Sequence, residues 1–255
     1  MSRLRAVCPD CRTHTAVALG GDYECHSCGR SFAAAVVRVP RAWGEHGEAM
    51  ADAAHLPLPY PEAAVVDEDT LAGQSLALAR GLPDRPIVLG GCCCAHIGAV
   101  EGLAARHGRI SLLWFDAHGD LNTIESSPSG NEWATPLRRL IDAGAVGAED
   151  VALIGARNLD PPEEEFIAAS GVRLGAASVE RALAGTSGAY VAVDFDALDA
   201  DEVAPFMPEP GGLALAEVEA LLRSTRPILG AGFTAFLPDD RNVPALSRLA
   251  TAIGF

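Results

Sequence analysis

The sequence predicts an α/β fold, a parallel sheet flanked by helices on both faces, with a small cysteine-bearing module ahead of it. Three observations carry this. Short all-apolar runs such as 112–115 and 189–193 lack the in-out alternation of a sheet with one wet face, so their strands are expected to be buried on both sides. Amphipathic stretches of helix length separate them, the spacing of strand-helix-strand crossovers. The 255 residues, 49% hydrophobic and 21% charged, suffice to bury a substantial core without disulfide staples.

The order of elements starts with a separate module over residues 1–35. Cys8-Pro-Asp-Cys11 and Cys25-His-Ser-Cys28 form two CxxC knuckles, with Gly20, Gly21 and Gly29 at expected turns. Tight turns let each knuckle offer two thiolates to one tetrahedral ion, and four thiolates close its shell. Cys8, Cys11, Cys25 and Cys28 are therefore assigned to a structural zinc of zinc-ribbon type, which leaves His14 and His26 as surface residues. Residues 36–85 carry Pro40, Pro57, Pro59, Pro61 and Pro83 and one helix over 68–80; they read as a linker leading into a main domain at 86–255. That domain alternates strand 86–89, helix 97–107, strand 110–115, helix 136–143, strand 151–154, helix 162–169 and a strand near Val172. It continues with helix 179–184, strand 189–193, helix 214–224, strand 228–233 and helix 243–253.

In parallel α/β sheets the ligand crevice lies beyond the carboxyl ends of the strands. The run 112–115 is followed there by Asp116-Ala-His118-Gly-Asp120, and the run 190–193 by Asp194-Phe-Asp196-Ala-Leu-Asp199. Ligand groups at every second residue of an extended segment share one side of it. Two strand ends offering such hard ligands suit a pair of divalent ions about 3.5 Å apart. The ordinary alternative, a turn or helix-capping role, fits Asp199 and serves equally for Asp160.

Several motifs in order resemble those of the ureohydrolase family, which includes arginase, agmatinase and formimidoylglutamase. They are Leu89-Gly90-Gly91, Trp114 to Asn122, Ser129-Gly130-Asn131, Asp194 to Asp199, and Pro208-Glu-Pro-Gly-Gly212-Leu, covering roughly residues 86–240. The resemblance implies an arginase-like three-layer α/β/α fold that hydrolyses a C–N bond with two Mn(II) ions and a bridging hydroxide. It further implies that Asp116 and Asp194 bridge the ions, that Asp120 completes one shell, and that His118 and Asp196 complete the other. Asn122, Ser129, Asn131 and Asp160 match positions that hold the substrate, with plain loop hydrogen bonding as the alternative reading. A homo-oligomer is also implied.

Three departures bear on the chemistry. The segment that supplies a ligating histidine in the family reads Gly91-Cys92-Cys93-Cys94-Ala95-His96 here. Cys93 replaces that histidine, or His96 substitutes for it; a thiolate shifts the metal preference from manganese toward zinc or iron. Trp133 stands where the family has a proton-shuttling histidine, and indole does not exchange protons near neutral pH. Ala235 stands where the family places the glutamate that pairs with a guanidinium; Glu132 and Glu125 are candidate replacements.

The functional expectation is a metal-dependent hydrolase of a non-peptide C–N bond in a guanidino, amidino, ureido or related small molecule, distinct from arginase and agmatinase. Asp120 or Asp196 would orient the attacking water, and Trp133 would wall the pocket. The alternative is a catalytically inactive metal-binding scaffold or sensor whose zinc ribbon binds a partner. A formal charge of -15 and a pI near 4.8 argue against a nucleic-acid surface, although Arg3, Arg5 and Arg12 cluster near the start. The absence of lysine excludes a Schiff base and a P-loop. With no apolar run of membrane length and no signal-peptide pattern, a cytoplasmic location is expected.

Overall fold

The computed structural model describes residues 8, 11, 13, 15–19, 22–33 and 35–255. Arg3, Arg5, Arg12, His14, Gly20 and Gly21 lie outside the described residues. The described residues form two sheets. Strands β1 (Ala16–Leu19), β2 (Asp22–Cys25) and β3 (Ser31–Ala33) form a small antiparallel sheet.

The large sheet has eight strands, all paired in parallel. They are β4 (Val36–Arg38), β5 (Glu62–Val65), β6 (Ile87–Leu89), β7 (Ser111–Phe115), β8 (Val151–Ile154), β9 (Arg173–Leu174), β10 (Ala189–Asp194) and β11 (Ile228–Thr234). The helices are α1 (Leu71–Gly81), α2 (Ala95–His107), α3 (Pro136–Asp142), α4 (Pro161–Ala169), α5 (Val179–Leu183), α6 (Leu215–Ser224) and α7 (Asn242–Ala252). The strand order is β5-β4-β6-β11-β10-β7-β8-β9.

The period-2 alternation of strand side chains divides the core in two. Leu113, Phe115, Val191, Val193 and Phe233 pack with Leu215, Val218 and Leu222 of α6 and Leu246 and Leu249 of α7. Leu112, Trp114, Tyr190 and Ala192 point the other way, toward Leu78 of α1, Val100 and Leu103 of α2, and Leu137 and Leu140 of α3. This is the expected three-layer α/β/α arrangement. Helices α1 and α2 approach closely at Gly98, where an added Cβ would meet the Ser75 carbonyl oxygen at 2.3 Å.

The expected linker is corrected by the structure. β4 pairs with β6 through Val37 and Val88, and β5 extends the same sheet as its edge strand. Residues 36–85 thus supply two strands and α1. The sequence hid them because β4 is only three residues long and β5 is largely exposed, and what holds β4 is a pairing with residues some fifty positions away.

Candidate metal centre

The central strands β6, β11, β10 and β7 end together at one rim of the sheet. Because Phe115 pairs with Val193, the next residues, Asp116 and Asp194, stand side by side. The carboxyls of Asp116, Asp120, Asp194 and Asp196 are all buried. Asp116 accepts from Trp114 Nε1 (3.0 Å) and from the His118 backbone N–H (2.7 Å). Asp194 accepts from the Asp196 N–H (3.0 Å), and Asp196 accepts from the Ala117 N–H (2.9 Å). His118 Nδ1 lies 2.9 Å from Asp196 Oδ2 and 3.5 Å from Asp116 Oδ1. These three residues present ligand atoms mutually close enough for one ion.

Asp120 completes the group with φ 53°, a left-handed backbone that aspartate tolerates better than most residues. Its Oδ2 is buried with no hydrogen-bond partner, which is rare and costly for a carboxyl in a folded interior. Burial and the neighbouring acids push Asp116 up to about 6 and push Asp120 and Asp194 well above the usual carboxylate range. Burial alone would lower His118, but hydrogen bonds and charges from Asp116 and Asp196 outweigh it and raise the ring to about 11. A divalent cation would relieve this mutual repulsion and satisfy the orphaned oxygen, so the residues present fit a metal centre.

The cleft above these acids has a volume of about 290 Å³ and takes in Cys93, Asn122, Ser129, Asn131, Trp133 and Asp160 from the sequence reading. Cys93 is buried beside Asp120 and donates to the Trp133 carbonyl (3.1 Å); burial and the Asp120 charge push its thiol well up. His96 is not brought to the cleft. Its ring lies in the core, with Nδ1 3.1 Å from Tyr190 Oη and Nε2 3.1 Å from Thr234 Oγ1, and burial lowers it to about 3. The first turn of α2 aims it at the sheet, where Gly232 makes room for the ring.

The loop residues are engaged locally. Asn122 donates to Asp160 Oδ2 (2.8 Å), Asn131 Oδ1 accepts from the Glu45 N–H (3.1 Å), and Ser129 accepts from the Asn131 N–H (3.2 Å). Asp160 also starts α4, where its N–H donates to Glu163 Oε2. Asp199 accepts from the Asp201 N–H, the expected turn role. Of the acids considered as replacements at Ala235, Glu132 is paired with Arg139 and neither Glu132 nor Glu125 lines the cleft.

Two supporting acids escaped the sequence reading. Glu163 is buried and receives the N–H groups of Leu121 and Asp160, both at 3.0 Å, which ties the 116–120 loop to α4. Its signal was the acid three residues after an aspartate at a helix start. Glu209 faces His118 Nε2 at 3.6 Å and accepts from Asn158 Nδ2 at 3.0 Å; it lies within the 208–213 motif, whose resemblance carried no role for it.

In the small sheet, Cys8 and Cys28 sulfurs are 3.5 Å apart, as are those of Cys11 and Cys25. All four are mutually within 4.8 Å, close to the edge of about 3.8 Å that Zn–S bonds of about 2.3 Å require. The cluster fits a zinc ribbon. The Thr15 hydroxyl leads the groups that outweigh burial and lower Cys25 to about 5, favouring the ligating thiolate. Among the described residues, no helix is long and apolar enough to cross a membrane.

Comparison with known proteins bears on this geometry. A family profile described as the arginase family matches residues 30–242. An arginase of Bacillus caldovelox is 35% identical over 198 residues, 65% of this chain and 66% of that protein, so the chain spans just under two thirds of its length. The crystal structure of a Bacillus subtilis arginase superposes with a TM-score of 0.76 at 23% identity, covering 86% of this chain and 97% of that one. A Bacillus subtilis formimidoylglutamase gives a TM-score of 0.73 at 18% identity, covering 86% and 85%. At these identities the structural likenesses speak for the fold.

Proposed function

The chain belongs to the arginase family, and from that premise we propose that it hydrolyses a non-peptide C–N bond of a small guanidino, amidino, ureido or related molecule, using divalent metal ions. The observation that carries the proposal is the orphaned, buried Asp120 Oδ2 among three further carboxyls at adjoining strand tips, a costly arrangement without cations. We assign Asp116, Asp194, Asp120, Asp196 and His118 as ligands, with Cys93 in place of the family's additional histidine. His96 is withdrawn, since both of its ring nitrogens are engaged in the core. Cys93 biases the site toward zinc or iron over manganese.

When bound, such ions act as Lewis acids and lower the pKa of water toward neutrality. The protein's part is positional. Backbone N–H groups hold Asp116, Asp194 and Asp196 in fixed orientations. Asp120 or Asp196 accepts a hydrogen bond from the attacking water, and Trp133 walls the cleft against bulk solvent. Asn122, Ser129, Asn131 and Asp160 hold the remainder of the substrate. The cysteine module, over residues 1–35, takes one structural zinc, and the assembly is a homo-oligomer by family analogy.

Metal analysis of purified protein should find ions beyond the single ribbon zinc, and a panel of guanidino, ureido and amide compounds should release urea, ammonia or amine. Asp116→Ala and Asp194→Ala should abolish turnover with the fold intact. Protein that binds only the ribbon zinc at saturating metal would sink this reading and leave the scaffold alternative.

A further inference from the structure

Resting on that hydrolase reading, we infer that the cleft takes substrates whose reacting end is uncharged, a planar amide or ureido group on an apolar chain, and excludes guanidinium and amidinium cations. A cation that gives up hydration on entering the cleft needs a counter-charge to offset the loss. The carboxyls at the floor are committed to the metal centre. Of the other acids lining the cleft, Glu163 already receives two backbone N–H groups, from Leu121 and Asp160. Asp160 is only partly buried and is bound by the Asn122 amide.

Beyond the acids and His118, the lining is made of the neutral polar side chains of Asn122, Ser127, Ser129, Asn131 and Asn158 and of apolar groups. The Trp133 and Phe206 rings meet edge to face, with centroids 5.7 Å apart, and Met207 and the Ala235 methyl line the same cleft. Ala235 is fixed in place: its N–H donates to the Gly91 carbonyl (2.9 Å), and its own carbonyl accepts from the Phe206 N–H (2.8 Å). Trp133 can attract a cation through its ring face, but a ring quadrupole is a weaker partner than a carboxylate in direct contact. A neutral urea or amide loses far less on entry.

The test is calorimetric binding to metal-loaded protein of a matched pair, n-butylurea and n-butylguanidinium, alike in length and shape and different in charge. The wild type should bind the urea at least about tenfold more tightly. Ala235→Glu should invert the preference, and Ala235→Gln, of similar size and no charge, should keep it. Equal or tighter binding of the guanidinium by the wild type, or binding of neither compound, overturns the inference whether or not the variants fold. Release of butylamine, ammonia or urea is read separately. Protein that binds the urea selectively yet turns over no compound of either charge retains the inference about the cleft and refutes the hydrolase assignment.

Discussion

Glu209 Oε1 stands 3.6 Å from Nε2 of His118, across the ring from the 2.9 Å approach of Nδ1 to Asp196 Oδ2. A histidine that ligates a metal through one nitrogen commonly donates its other N–H to a carboxylate, which fixes its tautomer and orientation. Arg157 holds the loop in register by donating to the carbonyls of Glu209 and Pro210. Glu209 is thus a positioning residue. We predict that Glu209→Gln weakens divalent-metal affinity by about tenfold with an unchanged melting temperature, and that Glu209→Asp falls between the two. Titration with a metal-sensitive dye reads the affinity; an unaltered affinity in Glu209→Gln refutes the role.

Asp120→Asn should separate stability from metal binding. Asparagine tolerates the same left-handed φ, so the backbone strain is unchanged, while the buried group that burial and Asp116 push toward protonation is replaced by a neutral one. Spared the cost of protonating a carboxyl or burying it charged, the metal-free variant should gain roughly 1–3 kcal/mol over metal-free wild type. The same change should remove one bound ion. Denaturant unfolding of both metal-free proteins, together with elemental analysis, checks the pair of outcomes; a variant less stable than the wild type contradicts the argument.

The strand-helix alternation from Ile87 onward was legible because the central buried strands are largely apolar, and the convergence of the acids was legible because side chains at i and i+2 of an extended segment share one side of it. The edge of the sheet was not. Val36 and Val37 follow a stretch of alanines that carries no β signal of its own, and their partner lies far along the chain. His96 illustrates a different limit: its proximity in sequence to Cys93 suggested a shared site, but one turn of helix sends the two side chains to opposite destinations, the cleft and the core. Glu209 stood in a recognised motif without a role, because its meaning depends on a loop brought against His118 from ninety residues downstream.

His96 gives a pH signature. Its folded-state value, lowered to about 3 by burial, lies below the unfolded value of about 6.5. The unfolded chain therefore binds the extra proton between these limits, so the contribution is fully present above pH 6.5 and is lost as pH falls through that window. His96→Gln does not titrate. The stability difference between wild type and His96→Gln should move against the wild type by about 1.4 kcal/mol per pH unit between pH 6 and pH 4, while contributions from the metal-site acids cancel. Urea melts at several pH values measure it, and a constant difference would mean that the ring is accessible to protons.

The cysteine module should fail alone. Cys25→Ser removes a buried member of the four-sulfur cluster, and in small zinc domains the binding free energy is the folding free energy. One zinc equivalent should be lost, and amides of β1, β2 and β3 should exchange freely with solvent. Amides of β7 and β10 should keep their protection, because the core of the large sheet contains none of these cysteines. Hydrogen exchange reads both regions at once; loss of protection in β10 would show that the two sheets depend on one another.

The shape of the cleft is set partly by Gly44. A Cβ built there would lie 2.5 Å from the Trp133 ring, a distance that forces the indole to move, and the ring's other neighbours include Phe206. Gly44→Ala should therefore cost about 1–3 kcal/mol by overpacking, shift the tryptophan fluorescence and weaken ligand binding. If the cost arises at this contact, it should largely vanish in a Trp133→Ala background, where nothing stands in the way of the new methyl. A double-mutant cycle isolates that coupling. An equal penalty in both backgrounds would trace the glycine requirement to the backbone of the 43–46 turn and remove Gly44 from the account of the cleft.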